Sequence, residues 1–464
     1  MSVASRECFR LVTFIYFELF SATAIRSFET DTNPENWIEP RASERSKLLE
    51  TQVKHRLLVT TTTFIRYEGD TQPRFVLDLS RALGEHFDVT VLAPSFPDAP
   101  LRETLFGVDV VRYRYAPRQS MELLSYAGGI ISHLRRKPLD WFLVFGLLWG
   151  QRRALRRLLR EQKFDAIHAH WTLPQGVLAV TLPKSLRVPV ITTSHGGDIH
   201  TFLKTPLKAA LPFVLKRSDK VTVVSEELRL IAKDLMRGTG REEEIARIPM
   251  GVDVDHFARL SAKDTSNAPD PQTEITIQFV GRLVEKKGVG ILIDAMDHVL
   301  ADSVGLPTAR LQIIGDGVLR QSLEEQIAKK GLSDHISFLG RRNHDELPKE
   351  LGSADIFVVP SIEAADGDKE GLPVTLLEAA SCRVPIIASE SAGISNFIKH
   401  EQNGLLVPAG DARSLAESLK RLMADKALRE QLAHQAFEDV KSYDWKAIAA
   451  EYARVINEAL KLRP

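Results

Sequence analysis

From Lys54 onward, short apolar runs alternate with amphipathic stretches. In the first half the strand-like runs are RLLVTTTTF (56–64), DVTVLAPS (88–95), VDVVRYRY (108–115), AIHAHW (166–171), PVITTSHG (189–196) and KVTVVSE (220–226). Between the first two, TQPRFVLDLSRALGEH (71–86) brings Phe75, Leu79 and Leu83 to one face at helical spacing. Strand, helix, strand repeated in this way predicts a parallel sheet with helices on both faces. A polar, proline-bearing stretch, SAKDTSNAPDPQTE (261–274), then reads as an interdomain hinge. The alternation restarts with ITIQFVGR (275–282), LQIIGDG (311–317), ISFLGR (336–341), ADIFVVPS (354–361), VPIIASE (384–390) and GLLVPAG (404–410), and the chain closes in helical pattern. The expectation is an α/β protein with two Rossmann-like domains, 54–260 and 275–440, facing a central cleft. A terminal helix within 441–464 is expected to return to the first domain. Open α/β sheets bind ligands beyond the carboxyl ends of their strands, which places the site in that cleft.

Composition sets bounds. A chain of 464 residues is too long for one core. With 61 basic and 61 acidic side chains the formal charge is zero, so no global field favours nucleic acid. Cys8 and Cys382 form neither a disulfide framework nor a metal quartet, and suit a reducing cytosol. The apolar stretch RLVTFIYFELFSATA (10–24) follows Arg6 and Arg10 as in a signal peptide, but Glu18 interrupts it and it is too short to span a bilayer. Residues 1–53 are therefore expected to be a disordered extension.

Candidate chemistry begins with FVGRLVEKKG (279–288). A strand ending at Val280 would be followed by a turn at Gly281, with Arg282 at the strand's edge and Lys287 five residues on. Two cations beside one strand end suit a diphosphate, although both also fit an ordinary cationic surface. In EGLPVTLLEAA (370–380), Pro373 suits the first position of a helix whose N-terminus would offer free N–H groups to an anion. Gly371 would let a ligand approach the backbone. Glu370 stands at the mouth of this helix and Glu378 on it. Carboxylates accept well from sugar or ribose hydroxyls, and on spacing alone these two serve equally well as capping and surface acids. The glycines of IIGDG (313–317) lack the third glycine of a dinucleotide fingerprint.

Together, FVGRLVEKKG, IIGDG, ISFLGR and PSIEAADGDKEGLPVTLLEAASCRVPIIAS resemble the retaining nucleotide-sugar glycosyltransferases of family 4, which have the GT-B fold. The resemblance runs from about residue 55 to 440. It implies that Glu370 contacts donor-sugar hydroxyls, that Glu378 meets the nucleotide ribose, and that Arg282 and Lys287 clamp the diphosphate beside Gly371, Leu372 and Pro373. SHGGDIH resembles the family's first-domain motif, which brings His195 to the donor sugar. Gly69, in the loop IRYEGD (65–70), is the counterpart of a glycine meeting donor phosphate and acceptor, and fits a plain turn nearly as well. IPMGVDVDHF carries Pro-Met where the family usually has Asn.

TTTTFIRYEGDTQPRFVLDLSRAL, HAHWTLPQG and DGDKEGLP are further similar to enzymes building exopolysaccharides or lipid-linked surface glycans. The implied reaction moves a sugar from a UDP- or GDP-linked donor to a glycan or lipid-linked acceptor, with no further cofactor. Asp366 and Asp368 resemble the metal motif of a different glycosyltransferase fold, but cations already neutralise the diphosphate, so no metal is expected. The alternatives in the same fold are a nucleotide-sugar 2-epimerase and a non-catalytic nucleotide-sugar binder.

One segment lies outside this scheme. In residues 133–162, the apolar stretch from Trp141 to Trp149 is flanked by Arg135, Arg136 and Lys137 and then by Arg152, Arg153, Arg156, Arg157 and Arg160. It is too short to span. Tryptophans at both ends and basic flanks fit a helix on an anionic membrane surface, and fit equally a helix covering the sheet with its arginines in water. The expected location is the cytoplasm, with contact to the inner face of the membrane.

Overall fold

The computed structural model describes residues 54–462, apart from 71, 127–129, 131–132, 135–136, 262–273, 366, 368 and 392. The expected extension 1–53 and nearly all of the expected hinge lie outside the described residues, as do Arg135, Arg136, Asp366 and Asp368.

The first half contains β1 (Arg56–Thr60), β2 (Asp88–Pro94), β3 (Arg102–Leu105), β4 (Val108–Tyr113), β5 (Ala166–His170), β6 (Val190–Ser194), β7 (Lys220–Val223) and β8 (Ala246–Arg247). They form one sheet in the order β3-β4-β2-β1-β5-β6-β7-β8. Every pair is parallel except β3–β4. The inner strands are buried without alternation because both faces are covered. Two strands escape the apolar pattern. β3 is a half-exposed edge hairpin on β4, turned through Phe106 and Gly107 at φ 50° and 81°. β8 is only two residues long.

The second half contains β9 (Glu274–Val280), β10 (Thr308–Ile314), β11 (Ile336–Gly340), β12 (Ile356–Val359), β13 (Ile386–Ser389) and β14 (Leu405–Val407). Their order is β11-β10-β9-β12-β13-β14, parallel throughout. The chain then crosses back. The Val252 amide donates to the Tyr443 carbonyl at 3.0 Å and the Trp445 amide to the Val252 carbonyl at 3.1 Å, and the helix Trp445–Lys461 buries Trp445, Tyr452 and Ile456 against Leu79 and Leu83 of the helix Phe75–Leu83.

The stretch with basic flanks is a helix, Trp141–Glu161. One face covers the first sheet with Leu143, Leu147, Leu155 and Leu158. Gly146 and Gly150 let its backbone press on that of Tyr115 and Arg114, where a Cβ would lie 2.0 and 2.3 Å from their carbonyl oxygens. Gln151 donates to the Thr60 hydroxyl at 2.6 Å. No helix among the described residues is long and apolar enough to cross a membrane.

Candidate functional site

β9 lies between β10 and β12, where the winding of the second sheet reverses. Such switch points open a crevice at the strand ends. After Val280 the chain passes Gly281 and Arg282 and makes a short turn, Glu285–Lys287, before the helix Val289–Ala301. Gly288 joins them at φ 64°, and a Cβ there would sit 1.8 Å from the Pro360 carbonyl oxygen. Only glycine lets this turn lie against the end of β12. Ile362 donates to the Lys286 carbonyl at 2.9 Å, and the Ala365 amide to the Glu285 carboxylate at 3.0 Å. The loop after β12 is thus stitched to the turn after β9.

That stitching sets Lys287 Nζ 2.9 Å from Glu370 Oε2, both side chains largely buried. Burial alone would raise the Glu370 carboxyl. The charges of Lys287, Lys286 and Arg282 outweigh it and hold the group below its ordinary range. Arg282 itself is exposed.

Gly371 and Leu372 lead to Pro373, which is the N-cap and not the first helical residue: the helix runs Val374–Ser381. At φ −66° and extended ψ, Pro373 gives its carbonyl to the Leu376 amide at 3.1 Å. Proline has no side chain to cap with, so the first amides lack a side-chain acceptor from this position. Glu378 is buried on that helix, and its Oε2 has no hydrogen-bond partner. Burial, reinforced by Asp78 and opposed by Lys287, pushes its carboxyl up to about 8.

Asp78 belongs to the helix Phe75–Leu83 of the other domain, so its charge acts on Glu378 from across the domain boundary. Burial raises Asp78 to about 6 against the pull of Arg74 and Arg81. Arg74 pairs with Asp78 at 3.5 Å and reaches Asp345 of the second domain at 3.7 Å.

His195 ends β6 on the first-domain side. Its Nε2 lies 2.9 Å from His170 Nδ1 with the rings stacked at 16°, and Phe75 and Trp171 pack on it at 5.1 and 4.9 Å. Burial, with a smaller push from His168, drives His195 down to about 3, so the ring is neutral at ordinary pH. Asp198 accepts from the backbone amides of Thr172 (2.6 Å), Gly196 (3.1 Å) and His195 (3.2 Å), tying the ends of β5 and β6 together. Phe75 touches His195 and shares its helix with Asp78, whose charge acts on Glu378, so one first-domain helix links the histidine to the Glu378 side.

Gly69 is less central. It is the exposed tip of a turn at φ 84°, closed by Asp70, whose buried carboxylate pairs with Arg66 at 2.7 Å. Turn geometry alone accounts for the glycine. Glu363 is an exposed loop acid paired with Lys369 at 2.9 Å. Among the described residues no group of three or more His, Cys, Asp or Glu could hold a metal ion. A cavity of about 660 Å³, lined among others by Asp78, Arg81, Asp253, Asp444 and Lys446, contains neither Lys287, Glu370 nor His195 in its walls.

Residues 72–256 match the family described as Glycosyltransferase Family 4, and residues 262–439 match Glycosyl transferases group 1. The putative colanic acid biosynthesis glycosyltransferase WcaL of Salmonella typhimurium is 31% identical over 302 residues, which are 64% of this chain and 69% of that protein. The chain belongs to glycosyltransferase family 4. The amylovoran biosynthesis glycosyltransferase AmsK of Erwinia amylovora is 34% identical over 245 residues, 53% of this chain; the match spans only 57% of that relative. Sucrose-phosphate synthase from Thermosynechococcus elongatus superposes with a TM-score of 0.69 at 21% identity, covering 88% of this chain and all of that one. The two parallel sheets are therefore those of the GT-B fold.

Three residues of the glycosyltransferase's cleft escaped sequence reasoning. His170 stands two residues after His168 on one strand, so both rings share a face of β5, a signal that HAHW carries openly. Asp198 follows His195 by three, the spacing of a carboxylate that caps a turn. Asp78 had no local signal, because only the domain packing turns it toward Glu378.

Proposed function

We propose that this glycosyltransferase moves a sugar from a nucleoside diphosphate donor, UDP- or GDP-linked, to a lipid-linked glycan acceptor, with retention of anomeric configuration. The observation that carries the reading is the buried Lys287–Glu370 pair at the switch point of the second sheet, with Arg282 exposed beside it. A cation held in a largely buried site, next to an uncapped helix start, is suited to a diphosphate. In the resting protein Lys287 is neutralised by Glu370. Donor binding would share the lysine with phosphate oxygens and free Glu370 to accept from sugar hydroxyls.

The barrier is departure of the diphosphate from an oxocarbenium-like centre. Arg282, Lys287 and the amides after Pro373 would stabilise the charge growing on the leaving oxygen. Gly371 and Leu372 would carry the backbone alongside the phosphates. Neutral His195, fixed by His170, would hold the sugar in position with Glu370. Glu378, protonated below about pH 8, could both donate to and accept from ribose hydroxyls. With donor bound, Glu370 is occupied by sugar hydroxyls, so we assign no double-displacement nucleophile; the leaving phosphate oxygen takes the acceptor's proton on the face where the new bond forms. With cations already at the diphosphate, the reaction is proposed to need no divalent metal. Gly69 is kept as a turn residue near the acceptor side.

AmsK and WcaL are named for amylovoran and colanic acid biosynthesis, which supports a polysaccharide as the product. The test is incubation with a panel of nucleotide sugars, with and without a polyprenyl-linked glycan, reading the anomeric configuration of the product by NMR. A retained linkage formed only with acceptor, and in the presence of chelator, is expected. An inverted linkage, isomerised donor without acceptor, or activity abolished by chelator and restored by Mn²⁺ or Mg²⁺ would each overturn the corresponding part.

A further inference from the structure

The helix Trp141–Glu161 has a second face that the fold leaves in water. Phe142, Phe145 and Trp149 are 47%, 43% and 65% exposed, and Leu139, just before the helix, is 90% exposed. Their spacing of three and four residues puts the three aromatic side chains on one stripe about 10 Å long. The same stripe continues through Arg153, Arg157 and Arg160, all exposed. Leu139, Phe142 and Trp149, with half-exposed Phe145 between them, fall within eleven residues, which is more than the scattered surface apolar residues of a monomer.

The charge on this stripe is one-sided. Eight Lys and Arg lie between 133 and 162 against only Asp140 and Glu161, in a chain whose formal charge is zero. Asp140 is taken by His133 at 2.7 Å, and Glu161 is shared by Arg157 at 3.1 Å and Arg102 at 3.5 Å. The Arg153 guanidinium lies 5.5 Å from the Trp149 ring centroid, at the junction of the apolar and cationic halves. The opposite face is locked to the sheet by Leu143, Leu147, Leu155, Leu158 and the Gln151–Thr60 bond. The stripe is therefore a rigid part of the first domain and needs no ordering on contact.

We propose that this stripe docks the protein on an anionic lipid surface, with Leu139, Phe142, Phe145 and Trp149 entering the headgroup boundary and Arg153, Arg157 and Arg160 lying along the phosphates. Aromatic rings beside a cationic run match that boundary chemically, whereas a second copy of this chain would bring the same arginines against each other. The proposal does not rest on the nature of the sugar donor.

The test is co-sedimentation of the full chain with phosphatidylcholine vesicles, with and without phosphatidylglycerol, in the absence of any donor. Binding is expected only with the anionic lipid and should weaken as salt rises. Each arginine near the surface contributes about a fivefold factor, so Arg153→Ala/Arg157→Ala/Arg160→Ala should bind about a hundredfold more weakly. Phe142→Ser/Phe145→Ser/Trp149→Ser, which alters only exposed side chains, should lose at least about tenfold. Unchanged binding in both variants, equal binding to neutral vesicles, or a dimer in sedimentation velocity that the aromatic variant dissolves without any vesicle binding would overturn it.

Discussion

Glu378→Gln should make the second domain more stable, and increasingly so as pH rises. A glutamate carboxyl ordinarily titrates near 4.5, and Glu378 in the folded protein does so at about 8. Between those values the folded protein holds a proton that the unfolded chain has released, so native stability is lost as pH climbs. Each pH unit in that interval corresponds to about 1.4 kcal/mol, or roughly tenfold in the opening equilibrium. At pH 7 the penalty is therefore on the order of 3 kcal/mol, an upper figure because the unprotonated site can relax. Glutamine keeps the shape and never ionises. Hydrogen exchange of the amides in 376–381 reads the effect, with parent and variant compared at the same pH. The ratio of protection, variant over parent, should be near one at pH 4.5 and rise by up to about tenfold per unit toward pH 8. Asp78→Asn in the parent should end that rise at a somewhat lower pH without abolishing it, because burial is the larger cause of the shift and the Asp78 charge only adds to it. A ratio that stays constant between pH 5 and about 7.5 would refute the reasoning.

Other consequences follow from the same geometry. Lys287→Met leaves Glu370 buried without its cation and should cost about 3–5 kcal/mol by urea midpoint, most of it recovered in Lys287→Met/Glu370→Leu; equal losses in single and double variants would count against a buried pair. Gly288→Ala should lower the melting temperature by the equivalent of at least about 2 kcal/mol, since the Cβ meets the Pro360 carbonyl and φ is positive; an unchanged melting curve would mean the turn has slack. His170→Phe keeps the ring's bulk but removes the partner of His195 Nε2. It should lower kcat by about tenfold while leaving KM within about twofold, and a change confined to KM would assign His170 a merely structural role.

The parallel sheets were readable because their inner strands are covered on both faces and so appear as short runs rich in apolar and β-branched residues without polar alternation. β3 was not, since an edge hairpin of Arg, Glu and Thr carries no such run, and neither was the two-residue β8. The helix Trp141–Glu161 was readable in two ways, and the structure shows one face of each kind: leucines on the sheet, aromatics and arginines in water. Of the candidate site, Lys287, Glu370 and Glu378 were singled out by the family resemblance, because spacing alone left them equally open as surface charges, and their electrostatic states were not visible at all. Those depend on a turn pinned at Gly288 and on Asp78, which arrives from a helix three hundred residues away in the chain. The start of the helix at Val374 differs from the expected Pro373 by one residue, because proline's fixed φ serves an N-cap as readily as a first helical position.

The central claim is that Arg282 and Lys287 stabilise a departing diphosphate. The most direct measurement is the single-turnover rate of nucleoside diphosphate release, with donor and acceptor bound, in Arg282→Ala and Lys287→Ala. The account predicts a fall of about a hundredfold or more in each, the order seen when one donor to a developing oxyanion is removed. Parent-like rates in both variants would contradict it.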